Sequence, residues 1–221
     1  MFQIDTYIPA LIELLKETYR ERLLYVGLQG SYLRGEATEE SDIDIMVVLD
    51  ELKIADLTVY KSVISSLENA DQSCGFISGA EELKNWNPLE ICHLLHTTKD
   101  YYGKLTDFVP EYTKEDVRNF VKMSLGNLYH ELCHRFIHAP MEKSVAKLPG
   151  TYRGVFFILQ NLHWLNTGVF AVTKKELLAL LSGKDKAVLE TAIALSSSTD
   201  FNFDEAFSLL FDWCKETMIQ L

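Results

Sequence analysis

The stretch Leu28 to Leu49, LQGSYLRGEATEESDIDIMVVL, decides how the rest of the chain is read. It opens with Gly30 and Ser31 and closes with Asp42 and Asp44 at the mouth of an apolar run, Ile43 to Leu49. Successive side chains on a strand point to opposite faces, so Asp42 and Asp44 share one face while Ile43 turns inward. Two carboxylates on one face offer hard oxygen ligands to a cation. Mg2+ is held by one or two carboxylates plus substrate phosphate oxygens more often than by a complete protein cage, and this pair supplies that much. The Gly-Ser pair offers the other half: a glycine lets the backbone approach an anion closely, and Ser31 adds a hydroxyl and an amide where a helix can begin. Metal and phosphate donors are expected to face each other.

The segment GSYLRGEATEESDID resembles the signature of the polymerase-beta-like nucleotidyltransferase superfamily, through Gly30, Ser31, Arg34, Gly35, Ser41, Asp42 and Asp44. It is closest to the small prokaryotic branch that includes aminoglycoside adenylyltransferases and the minimal nucleotidyltransferases of toxin-antitoxin pairs. The resemblance implies a nucleotidyltransferase core that uses Mg2+, two ions in a two-metal mechanism, and ATP or another nucleoside triphosphate. It implies transfer of a nucleoside monophosphate to an acceptor hydroxyl. Gly30, Ser31, Arg34 and Ser41 would then bind the nucleotide, and Asp42 and Asp44 the metal. Arg34 is open to a second reading, in which it steadies the polar arch Gly35 to Ser41.

The superfamily also uses a third carboxylate on a neighbouring strand. Asp71, Glu81, Glu82 and Glu90 are the candidates. We choose Glu90, which precedes β-compatible residues in PLEICHLLH, a segment resembling the equivalent strand of streptomycin-type adenylyltransferases. Its implied role is to bind metal or take the acceptor's proton; Asp71 is the second choice.

Composition sets the bounds. A chain of 221 residues is long enough for one large domain or two small ones with their own cores. A net charge of −11 argues against general nucleic-acid binding and for a small-molecule or protein acceptor. Cys74, Cys92, Cys133 and Cys214 are scattered without metal-type or disulfide-scaffold spacing, which fits a reducing compartment. No signal-like opening and no membrane-length apolar run is present, so the cytoplasm is the expected location. Oligomeric state stays open.

Working outward from the motif, Asp5 to Glu21 has helical periodicity, Arg22 to Leu28 reads as the first core strand, Asp56 to Ala70 as a helix, and Gln72 to Ser78 as a short strand. Residues 1–107 form the expected catalytic domain, and residues 108–221 an α-helical bundle. The bundle's helices are expected over Lys114 to His138, Glu142 or Ser144 to Leu165, Thr173 to Leu181, Lys184 to Leu195 and Asp204 to Gln220. Breaks are expected at Pro140, Pro149-Gly150, Gly168, Gly183 and Ser196-Ser197-Ser198. The fold class is therefore α+β: an N-terminal mixed sheet flanked by helices, then a helical bundle. Lysines from such bundles reach the triphosphate in related adenylyltransferases. By that resemblance Lys174 or Lys175 is the contact, with Lys147, ahead of Pro149, as the other candidate.

His130-Glu131-Leu132-Cys133-His134 fits the His-Glu-x-x-His zinc-peptidase pattern. His138 lies two turns beyond His130, ~12 Å along a continuous helix, so all three cannot meet one ion. A helix face carrying histidines is the preferred reading. The functional expectation is AMP transfer to a small molecule, an aminoglycoside-like cation among the options, admitted between the two domains. A protein-modifying or toxin-antitoxin type enzyme and a non-catalytic nucleotide-binding module stay open.

Overall fold

The structure, a computed structural model, describes residues 3–68, 70–197 and 200–221. The chain divides into two compact units, Met1–Glu111 and Tyr112–Leu221.

The first unit runs α1 (Ile4–Tyr19), β1 (Leu23–Leu28), α2 (Gly30–Arg34), β2 (Ile43–Leu49), α3 (Ile54–Ser65), β3 (Ser73–Gly79), α4 (Ala80–Lys84), α5 (Pro88–His96) and β4 (Lys99–Tyr102). The sheet order is β3-β2-β1-β4, with β2 parallel to β3 and antiparallel to β1. The alternation of β2 sorts its side chains between two cores. Ile43, Ile45, Val47 and Leu49 join α1 through Ile8, Leu11 and Leu15. Met46 and Val48 face the other way, with Tyr25, Ala80 and Leu83. Asp44 belongs by parity to this second face, at the end of the sheet where its apolar cover stops.

Arg22 locks the sheet to α3. Its Nη1 and Nη2 donate to the two carboxylate oxygens of Asp56 at 2.8 and 2.9 Å, and its Nε donates to Asp50 at 3.1 Å. Asp56 also accepts from the Lys53 N–H at 2.9 Å, closing the first turn of α3. That helix stops at Ser65, short of the expected Ala70. Ser66 turns its amide and its hydroxyl back to the Val63 carbonyl, which tightens the end into a turn. Asn69, in the expected span, lies outside the described residues.

The second unit is helical: α6 (Lys114–His138), α7 (Met141–Thr167), α8 (Lys174–Leu180), α9 (Gly183–Ser197) and α10 (Phe203–Gln220). The α+β class is as expected, and so are the helix breaks at Gly168 and Gly183, both with positive φ. Pro149-Gly150 is not a break. Ser144, Leu148, Tyr152, Val155, Leu159 and Leu162 form one buried stripe through it. Packing on both sides of the proline outweighs the roughly 3 kcal/mol that an interior proline costs. Of the expected serine break, Ser196 and Ser197 are the last residues of α9, and Ser198 lies outside the described residues.

Candidate active site

The two ends of the deciding stretch meet in the first unit. The Gln29 N–H donates to the Asp44 carbonyl at 2.9 Å, extending the β1–β2 ladder one residue past β1. The chain then turns at Gly30, which has φ +69°, into the single turn of α2. Only glycine takes that conformation without strain. Space demands it as well: a Cβ on Gly30 would lie 1.8 Å from Oδ2 of Asp44. The carboxylate therefore rests directly on the Gly30 backbone, with Ser31 next in the chain.

Asp42 is exposed just before β2, and Asp44 is half-buried within it. Burial raises the Asp44 pKa, and the nearby Asp42 charge raises it further; a hydrogen bond with Cys74 and the Arg34 charge oppose both. The pair is thus an acidic site under mutual repulsion, which a bound cation would relieve. The donor set fits Mg2+, whose other ligands would be phosphate oxygens and water.

The arch between α2 and β2 is held by its own polar groups and by Gln72. Arg34 pairs with Glu36 at 3.1 Å, both side chains being mostly covered, at 15% and 22% exposed. Ser41 accepts from the Thr38 N–H at 2.8 Å, and Gln72 donates to the Glu39 carbonyl at 2.8 Å. Arg34 and Ser41 therefore both have roles in shaping this loop.

Glu90 is not on a strand. PLEICHLLH is helix α5, because Asn87 caps it by accepting from the Leu89 N–H at 3.1 Å and Pro88 occupies its first turn. Ile91 and Cys92 are buried, while Glu90 is exposed and accepts from the Trp86 indole N–H at 2.7 Å. The strands beside β2 are β1, LLYVGL, and β3, SCGFISG, and neither carries a carboxylate. The residue in register with Asp44 on β3 is Cys74, which is exposed. Asp71 sits in the short turn Ala70–Gln72 just before β3. Among the described residues, no three metal-type side chains form a cluster able to hold an ion.

The sequence reading missed Cys74 and His93. His93 on α5 is pushed down to about 4 by burial, with the Arg34 and His96 charges adding to the effect. The Asn87-Pro88 start was the available signal for α5; Cys74 had none, because its place beside Asp44 comes from the parallel pairing of β3 with β2.

The lysines lie in the second unit. Lys147 is inside α7, in its second turn, and not at a helix break. Lys174 and Lys175 open α8, behind the Thr173–Glu176 capping box. The Lys174 ammonium stands over the Phe156 ring at 5.7 Å. Among the described residues, no helix is long and apolar enough to cross a membrane.

The Nucleotidyltransferase domain family matches residues 8–123. A protein adenylyltransferase MntA from Thermococcus cleftensis is 38% identical over 66 residues, which are 27% of this chain and 67% of that protein. Two Methanocaldococcus jannaschii proteins, provisionally named protein adenylyltransferases, are 46% and 51% identical over 56 and 43 residues. Those matches cover 25% and 20% of this chain, and the chain spans about half the length of these relatives, 54% and 43%. The spectinomycin adenyltransferase AAD(9) from Enterococcus faecialis, solved with ATP and spectinomycin, shares the fold over 98% of this chain and 100% of its own. Its TM-score is 0.60 at 12% identity. The domain match covers just over half of the chain and contains the whole Gly30 to Asp44 motif, and the protein belongs to the nucleotidyltransferase domain family.

Proposed function

We propose that the protein transfers AMP from MgATP to an acceptor hydroxyl. The seating of Asp44 on Gly30 carries this reading, because it brings an acidic pair and a close-approach backbone turn to one point. Gly30 and Ser31 would bind phosphate oxygens through backbone N–H groups and the Ser31 hydroxyl. Asp42 and Asp44 would hold Mg2+, and the bound ion would supply charge neutralisation at the phosphates. Arg34, fixed by Glu36, and Ser41 would keep the arch in shape around the nucleotide. Lys147, Lys174 and Lys175 are the proposed sources of a further phosphate contact from the helical unit. Two carboxylates without a third on either neighbouring strand support one well-held ion more readily than the two ions expected from the resemblance.

AMP as the transferred group is supported by the adenylyltransferase names of relatives that the chain matches over 56 and 66 residues. For the acceptor, a small cationic molecule suits a chain of net charge −11. A protein acceptor is the second reading, favoured by the names of those same relatives. Incubation with ATP labelled at the α-phosphate tests both, using a panel of aminoglycosides and aminocyclitols in one arm and cell lysate in the other. A labelled small molecule supports the first reading, and a labelled protein band supports the second. No labelled product in either arm, with pyrophosphate never released, would overturn adenylyl transfer.

A further inference from the structure

The histidine ladder on α6 is unused by the nucleotide site and lies wholly within the helical unit. His130, His134 and His138 recur every fourth residue, so they stand above one another on one helix face, and all three are exposed. Ring centroids are 5.9 Å apart for His130 and His134, and 5.1 Å apart for His134 and His138. With Zn–N bonds of about 2.0–2.1 Å, and each ring centre roughly 1 Å behind its nitrogen, two imidazoles at a tetrahedral angle have centroids about 5 Å apart. The His134–His138 pair already has that spacing. The upper pair is wider.

The surroundings favour a cation there. Glu131, which the peptidase pattern would make a general base, instead accepts from Arg135 Nε at 2.9 Å and from the Thr151 hydroxyl at 3.3 Å. That pairing takes the carboxylate out of a hydrolytic role and neutralises the one guanidinium beside His134 in the sequence. α6 ends at His138, so the carbonyls of its last turn give this end partial negative character. Of the His134–His138 pair, His134 also borders a cavity of about 310 Å³, whose other lining residues are His130, Glu131, Arg135 and Ala139. Since no third protein ligand is gathered among the described residues, the ion would keep water in its remaining positions.

We infer that His134 and His138 chelate a divalent transition-metal ion of the Zn2+, Ni2+ or Cu2+ class at the C-terminal end of α6. This site differs in kind from the aspartate pair: imidazole nitrogen selects these ions, whereas carboxylate and phosphate oxygen select Mg2+.

Titration calorimetry of the full chain with ZnCl2 and NiCl2, in excess Mg2+, tests the assignment, with circular dichroism to show that each variant is folded. The expected result is one ion per chain. His134→Ala and His138→Ala should each weaken binding by about tenfold or more, because losing a chelating ligand costs more than losing its outer partner. His130→Ala and Asp42→Asn/Asp44→Asn should bind Zn2+ like wild type. Absence of binding by wild type, undiminished binding by His134→Ala, or loss confined to His130→Ala would each overturn it.

Discussion

Asp44 and Gly30 are fitted to each other: the Asp44 carboxylate occupies the space where any side chain at position 30 would begin, and Gly30 holds a positive φ that favours glycine in any case. Gly30→Ala should therefore fail twice. The left-handed backbone and the displaced carboxylate together should cost roughly 1–3 kcal/mol of stability, read as a lower midpoint in urea. Affinity for MgATP should fall with it. A variant as stable and as tightly binding as wild type would contradict the fit.

The metal-free site should be a source of instability. Burial and Asp42 raise the Asp44 pKa in the folded chain, so folding favours its protonated form. The sign follows from linkage: the ionised carboxylate destabilises the fold at neutral pH, and the penalty fades as pH falls through the raised folded value toward the unfolded one. Asp44→Asn should raise the metal-free Tm at pH 7 by about 1–2 °C, a small effect because solvent screens a half-exposed group. Mg2+ should stabilise wild type and leave the variant unmoved. Calorimetric scans with and without EDTA measure both.

Position 74 separates the two accounts of the third carboxylate. Glu90 is engaged with Trp86 on a helix, and Cys74 stands level with Asp44 on β3. Glu90→Gln should change MgATP affinity by less than about twofold, the scale of an exposed polar contact. Cys74→Asp should place a third carboxylate beside the pair, tightening Mg2+ binding while lowering metal-free stability through like-charge repulsion. Magnesium titrations of the two variants decide it. Loss of binding in Glu90→Gln would return that residue to the site.

Acid should unlock the sheet from α3 at Arg22 and Asp56. The guanidinium and the Lys53 N–H hold the Asp56 carboxyl down at about 2. Its contribution is thus fully present above the unfolded value near ~4 and lost as pH falls toward 2. Asp56→Asn should cost about 1–2 kcal/mol at pH 7, discounted because the Arg22 side chain is 37% exposed. The gap from wild type should close below pH 3 in urea titrations.

The parts of the site read from the sequence were those fixed by local rules. Alternation alone put Ile43 in the core and Asp44 on the opposite face, and Gly30 marked a turn that only glycine makes easily. The helix periods of α6 through α10 were legible for the same reason. PLEICHLLH was misread because its apolar residues suit a strand and a helix alike, and the deciding Asn87-Pro88 cap was passed over. Pro149 was misread in the opposite direction, since a local breaker was overruled by packing on both sides of it. Cys74 could not be placed without the β2–β3 register, a pairing between distant segments that no local pattern specifies.

The most direct test is titration calorimetry of a non-hydrolysable ATP analogue against wild type, Asp44→Asn and Gly30→Ala, each in Mg2+ and in EDTA. Binding by wild type that needs Mg2+ and weakens about tenfold or more in both variants is the expected result. Equal affinity in all three proteins, or binding indifferent to EDTA, would contradict a magnesium–nucleotide site built on Gly30 and Asp44.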